Sequence, residues 1–145
     1  MSARDEGKLY TPELLALAVS LADVPIDPSH SLTGHAVSRT CGSTVTVGFA
    51  PMPGGTIRRF GIRVSACAVG QAAAAIFARG VEGRSAGEIA AAEAAIEAWF
   101  EGGPLPDWPG FSAIAPAQAH PGRHGAVLLP WRAARDALSK VAQSG

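Results

Sequence analysis

The chain holds two cysteines, and each stands where a thiolate could do chemistry. Cys41, in "TCGSTVTVGF", precedes a run with strand alternation, and Cys67, in "SACAVGQAAAAIFARG", precedes an alanine-rich run with helical character. A helix N-terminus offers unpaired amides and the positive end of a dipole, which favours the thiolate of Cys67. Thiolates bind soft metals and attack sulfur electrophiles. A free cysteine can equally pack as a small hydrophobe, so both readings stand. Histidine supplies a further donor. His124, in "HPGRHGAVLLPW", opens the last predicted helix; His120 is close to it, and His30 and His35 lie in an early loop. Each alone reads as a surface residue. There is no C-x-x-C and no H-E-x-x-H, and "GGTIRRFG" is a turn leading into a strand rather than a phosphate cradle. Cys67 as nucleophile with His124 as base would satisfy the pairing logic of a thiol enzyme. No oxyanion motif or third orienting group accompanies them.

The flanking elements must bring these residues together. Val45, Val47 and Phe49 alternate with Thr44, Thr46 and Gly48; in "TIRRFGIRV", Phe60, Ile62 and Val64 alternate with Arg59, Gly61 and Arg63. With "PMPGG" as the turn, these runs predict an antiparallel hairpin with one buried face. In such a hairpin the start of one strand lies beside the end of the next. Cys41 and Cys67 are therefore expected near each other at one end of the sheet. A third strand is expected over 35–39. "YTPELLALAVSLAD" predicts a first helix, with Thr11 as cap, Pro12 at its first position and an apolar stripe of Leu14, Leu15, Ala18, Leu21 and Ala22. A second helix is expected over 68–79, stopped by Gly80. A third, over 86–101, opens with the Ser85–Glu88 capping box and buries Ile89, Ala92, Ile96, Trp99 and Phe100. Its acidic row, Glu93, Glu97 and Glu101, reads as a solvated face. A last helix is expected over 128–142, with Pro130 tolerated in its first turn. Strands grouped before helices predict an α+β sandwich with helices on one sheet face.

A chain of 145 residues, 48% apolar, suits one domain spanning 1–145 with a real core. Its 12 basic and 12 acidic residues cancel, which argues against nucleic-acid binding and against long-range steering of a charged partner. "MSARDEGKLY" lacks the apolar region of a signal peptide, and no window is apolar enough to span a membrane. The expectation is a soluble cytoplasmic protein, in which two cysteines are thiols, ligands or core residues rather than a disulfide.

Four segments, in order, resemble the U-type iron–sulfur cluster assembly scaffolds, the family of IscU, SufU and the N-terminal part of NifU: "LYTPELLALAV", "TCGSTVTVGF", "GIRVSACAVGQAAAA" and "RHGAVLLPWRAARDAL". The resemblance covers nearly the whole chain, and its spacing is closest to the SufU-like branch. It implies a small three-stranded antiparallel sheet with helices on one face, the SufE/NifU-like sandwich. It also implies three cysteines and an aspartate that hold a nascent [2Fe–2S] cluster or zinc, sulfur delivery by a cysteine desulfurase, transfer to recipient proteins, and no enzymatic activity. Cys41-Gly42 matches the C-G-D motif, but Ser43 replaces the aspartate. Cys67 matches the second cysteine. Gly125 stands at the third cysteine, and His124 matches the basic residue before it. The implied ligand set is thus Cys41, Cys67 and His124, with Ser43 and the His35 loop marginal. Cys₂His with water is an adequate zinc site, and histidine replaces cysteine in some iron–sulfur centres. The departures also suit a metal-free relative that acts as an interaction module for a desulfurase or another assembly factor.

Overall fold

A computed structural model of the chain describes residues 9–20, 24–39, 42–50 and 53–144. Its sheet has three antiparallel strands in the order β1 (Leu32–Val37), β2 (Thr44–Phe49) and β3 (Phe60–Ser65). The α+β class and the hairpin register follow the expected alternation: Val45 pairs with Val64, Val47 with Ile62 and Phe49 with Phe60. The third strand lies at 32–37 rather than 35–39, because Ser38 already turns toward the next strand, its N–H donating to the Ser43 carbonyl at 2.8 Å. The strand expected from residue 56 begins at Phe60 instead. Thr56 bridges to Ser85, and the fully buried Ile57 donates its N–H to the Arg84 carbonyl. That segment therefore ties the sheet to a helix connection.

The helices α1 (Pro12–Val19), α2 (Ala68–Gly80), α3 (Ala86–Phe100) and α4 (His124–Ser144) follow in the expected order, with a 3-10 segment at Phe111–Ala119. Thr11 caps α1 by accepting from the Leu14 N–H at 3.1 Å. The buried stripe of α1 is Leu14, Leu17 and Ala18, while Leu15 is exposed; Leu21 and Ala22 lie outside the described residues. The Ser85–Glu88 capping box is complete.

Three expectations about the helices are corrected. Gly80 is the last residue of α2 rather than a left-handed stop beyond it, and a Cβ there would sit 2.6 Å from the Trp108 indole nitrogen. Glycine is required because Trp108 packs flat against that turn, its Nε1–H donating to the Ile76 carbonyl at 2.9 Å. The acidic row of α3 is not a uniformly solvated face. Glu93 is buried against α4, held by Arg135 at 2.8 Å and Arg132 at 3.4 Å, and Arg132 also reaches Glu97 at 3.3 Å. The last helix starts at His124, so Pro130 falls in its interior rather than its first turn. There it removes one backbone hydrogen bond from the ladder.

The core lies between the sheet and the helices. Trp131 is fully buried and meets Phe77, Trp108 and Phe111 edge-on, with ring centroids 5.4, 5.3 and 6.2 Å away. Gly34 of β1 takes the backbone of α4: a Cβ there would overlap the Ala133 carbonyl and the Ala137 nitrogen. On the opposite sheet face, Gly48 and Gly61, paired across β2 and β3, lie under the loop that includes Pro25, Ile26 and His30. His30, expected at the surface, is buried there, its Nδ1 accepting the Asp27 N–H at 3.0 Å.

Candidate functional site

One end of the sheet gathers the elements that carry the candidate residues. Thr44, which opens β2, pairs with Ser65, two residues before Cys67. Cys67 is the N-cap of α2, with extended backbone (φ −65°, ψ 172°) and no side-chain capping hydrogen bond. Its thiol is free and half-buried against the core edge. Its carbonyl accepts from the Gln71 N–H at 2.9 Å, the first helical bond. The sulfur thus stands at a helix start whose amides it does not itself occupy.

Cys41 lies outside the described residues, and with it the expected approach of the two sulfurs. Its described neighbours frame a tight connection between β1 and β2. Gly42 has φ +73°, which favours glycine, and donates its N–H to the Ser38 carbonyl at 2.8 Å. Ser43, at the aspartate position, is buried at 4% exposure.

The start of α4 closes the same rim. Its Ala126 meets α2 at Gly70, where a Cβ would lie 3.3 Å from the Ala126 Cβ. A Cβ on Gly125 would lie only 2.8 Å from the Ser38 hydroxyl oxygen. The place where the resemblance puts a third cysteine is therefore crowded by the Ser38 hydroxyl, which would have to turn aside for a side chain at 125; Ser38 is itself buried at 6% exposure. The sequence pattern gave no sign of Ser38, because a serine before a turn looks like any loop residue.

His124 begins the same helix. Its ring stacks on Phe100 of α3, with centroids 3.7 Å apart and planes 9° apart. Its Nε2 lies 2.9 Å from the Gln118 carbonyl oxygen. A carbonyl only accepts, so Nε2 is the donor in this contact. Metal-binding histidines commonly have one nitrogen fixed on a carbonyl in this way, leaving the other to ligate. Of the other histidines, His35 is exposed on the sheet with Nδ1 2.9 Å from the Thr46 hydroxyl. Among the described residues, no three histidine, cysteine, aspartate or glutamate side chains cluster so as to hold a metal ion. Cys67 and His124 thus belong to no such cluster among the described residues, and Gly125 offers no side-chain donor.

No protein-family model and no curated protein matches the chain. Solved structures do. An N-terminal nitrogen-fixing NifU-like protein from Brucella abortus superposes with a TM-score of 0.85 at 29% identity, covering 97% of this chain and 99% of that one. A protein described as an iron–sulfur cluster assembly scaffold for the SUF system, from the thermophile Fervidobacterium islandicum, gives 0.80 at 18% identity, over 90% of this chain and 97% of that one. A hypothetical protein gives 0.68 at 16% identity, over 87% and 96%. The latter two likenesses speak to fold alone. No described helix is long and apolar enough to cross a membrane.

Proposed function

We propose that residues 1–145, whose fold and order of motifs resemble the U-type iron–sulfur cluster assembly scaffolds, act as one scaffold-like domain in cluster assembly in the cytoplasm. Iron, a [2Fe–2S] cluster or zinc is its cargo. The thiolates of Cys41 and Cys67 hold that cargo, and His124 contributes Nδ1. Sulfur comes from a cysteine desulfurase, with Cys67 or Cys41 as the accepting thiolate, and the cargo leaves for recipient proteins. The observation that carries this reading is the free, half-buried Cys67 thiol at the start of α2, beside the strand ends that lead from Cys41. With Ser43 and Gly125 in place of an aspartate and a cysteine, the chain offers fewer anionic donors, so a partner or a small thiol completes the shell. The test is anaerobic purification and reconstitution with iron and sulfide. Wild type is expected to develop charge-transfer absorption and to retain metal, and a Cys41→Ala, Cys67→Ala double variant is not. Equal, negligible metal in both proteins sinks the proposal.

A second reading is favoured by Ser38. Its hydroxyl crowds the space a side chain at 125 would need, as in a rim repacked for a metal-free interaction module. Desulfurase binding that survives removal of both cysteines, without metal, would select it.

A further inference from the structure

The balanced charge of the sequence hides a segregation. On the helix side four cations are paired, Arg84 with Glu88, Arg132 with Glu93 and Glu97, Arg135 with Glu93, and Lys140 with Asp136, while Arg79 makes no ion pair among the described residues. On the sheet side, Arg39, Arg58, Arg59 and Arg63 are all exposed. Among the described residues, none of these four makes an ion pair. Arg59 is partly offset by Asp27, whose carboxyl feels it through space. Arg63 pairs with Thr46, one row from the Thr44–Ser65 pair that leads to Cys67, and Arg39 follows the end of β1 at the same end of the sheet.

The outward face of the sheet has three rows across the strands. Thr33–Gly48–Gly61 is covered by the loop through Pro25 and His30. His35–Thr46–Arg63 and Val37–Thr44–Ser65 have no element packed on them among the described residues. The free edge of β1 is closed to strand addition. Asp136 Oδ2 accepts the His35 N–H at 3.0 Å, and Lys140 Nζ donates to the Thr33 carbonyl at 2.7 Å, so α4 plugs the groups a new strand would use. A partner must therefore approach the face and not the edge. With strands roughly 4.8 Å apart and about 7 Å between residues two apart on a strand, the two open rows make a strip about 10 Å long across the strands and about 7 Å between rows, room for one extended chain.

We propose that this strip, centred on Arg63 with His35 and Arg39 beside it, is a docking face for an acidic segment of a partner protein, which lies across the three strands and ends beside Cys67. The chemistry selects that occupant. Guanidinium groups with hydroxyls between them match carboxylates, and among the described residues the two open rows carry no acid of their own. It presents no aromatic side chain for base stacking, since Phe60 points inward, which disfavours single-stranded nucleic acid. Among the described residues Val37 is its only exposed large apolar residue, too little for a membrane surface. The paired charges of the helix side leave this face as the attractive pole of a neutral molecule. The proposal does not depend on whether the rim holds a metal.

The test titrates the full-length protein with a decaglutamate peptide and follows amide NMR shifts. At low ionic strength, shifts are expected at His35, Val37, Thr44, Thr46, Arg63 and Ser65, and they disappear at high salt. Arg63→Glu weakens binding on the order of tenfold. Arg79→Glu makes the same charge change in the last turn of α2 and leaves binding intact. Asp136→Ala with Lys140→Ala, which opens the β1 edge, also leaves it unchanged. Three results overturn the proposal: shifts that map elsewhere or not at all, equal losses from Arg63→Glu and Arg79→Glu, or tighter binding of an oligothymidylate to the same face.

Discussion

On the helix-covered face of the sheet, Gly34 admits the backbone of α4, and behind it stands the buried ring cluster of Phe77, Trp108, Phe111 and Trp131. On the opposite face, Gly48 and Gly61 admit only a short loop, held by the ring of His30 and by Asp27. The same device, a glycine that lets a backbone touch a strand, is used twice. On one side the intruder is a long helix locked by aromatic packing and the Glu93 ion pairs. On the other it is a loop with few apolar contacts. The difference teaches that removing a Cβ is only half of a close approach; what the intruder is anchored to decides how firmly it is held.

Substitutions at the glycines sharpen that contrast. Gly34→Ala forces a methyl into α4 backbone that has nowhere to go, and is expected to cost about 3 kcal/mol in denaturant unfolding. Gly61→Ala places a Cβ 2.5 Å from the Pro25 carbonyl oxygen. The loop can move away, so the expected cost is about 1 kcal/mol, with faster amide exchange confined to residues 24–30. Equal losses at the two positions would break the comparison.

The smallest effect belongs to the loop's own fastening. The Ser29 hydroxyl and N–H both donate to the Asp27 carboxylate, at 2.5 and 2.8 Å, and hold its pKa below the ordinary 3.8. A depressed carboxyl pKa gives stability that is present above 3.8 and lost as pH falls through the lower folded value. Ser29→Ala is expected to return the Asp27 titration toward 3.8 and to weaken that acid-side dependence slightly. An unchanged Asp27 midpoint by NMR would show that the hydroxyl contributes nothing.

The parts of the fold legible in the sequence are those whose cause is local. The Val45–Val47–Phe49 alternation, the Thr11 cap and the Ser85–Glu88 box each act within a few residues, and each appears as expected. The errors share one origin. Gly80 reads as a helix stop until Trp108, far along the chain, is seen to need its missing side chain. Glu93 reads as solvated until α4 brings two arginines to it, and Ile57 reads as strand until the α2–α3 connection claims its backbone. At the candidate site, Cys67 at a helix start was readable from flanking residues alone. The crowding of the Gly125 position by Ser38 was not, because it joins the end of β1 to the start of α4.

Sequence by itself determined which residues could supply donors and which runs could be strands or helices, because periodicity, capping and residue chemistry are properties of short windows. Tertiary structure alone decided that α4 would cap the β1 edge, that Ser38 would crowd the Gly125 position, and that Arg63 would stand on the open face of the sheet. Those outcomes depend on which side chains meet across long loops, and volume and charge are settled only at contact.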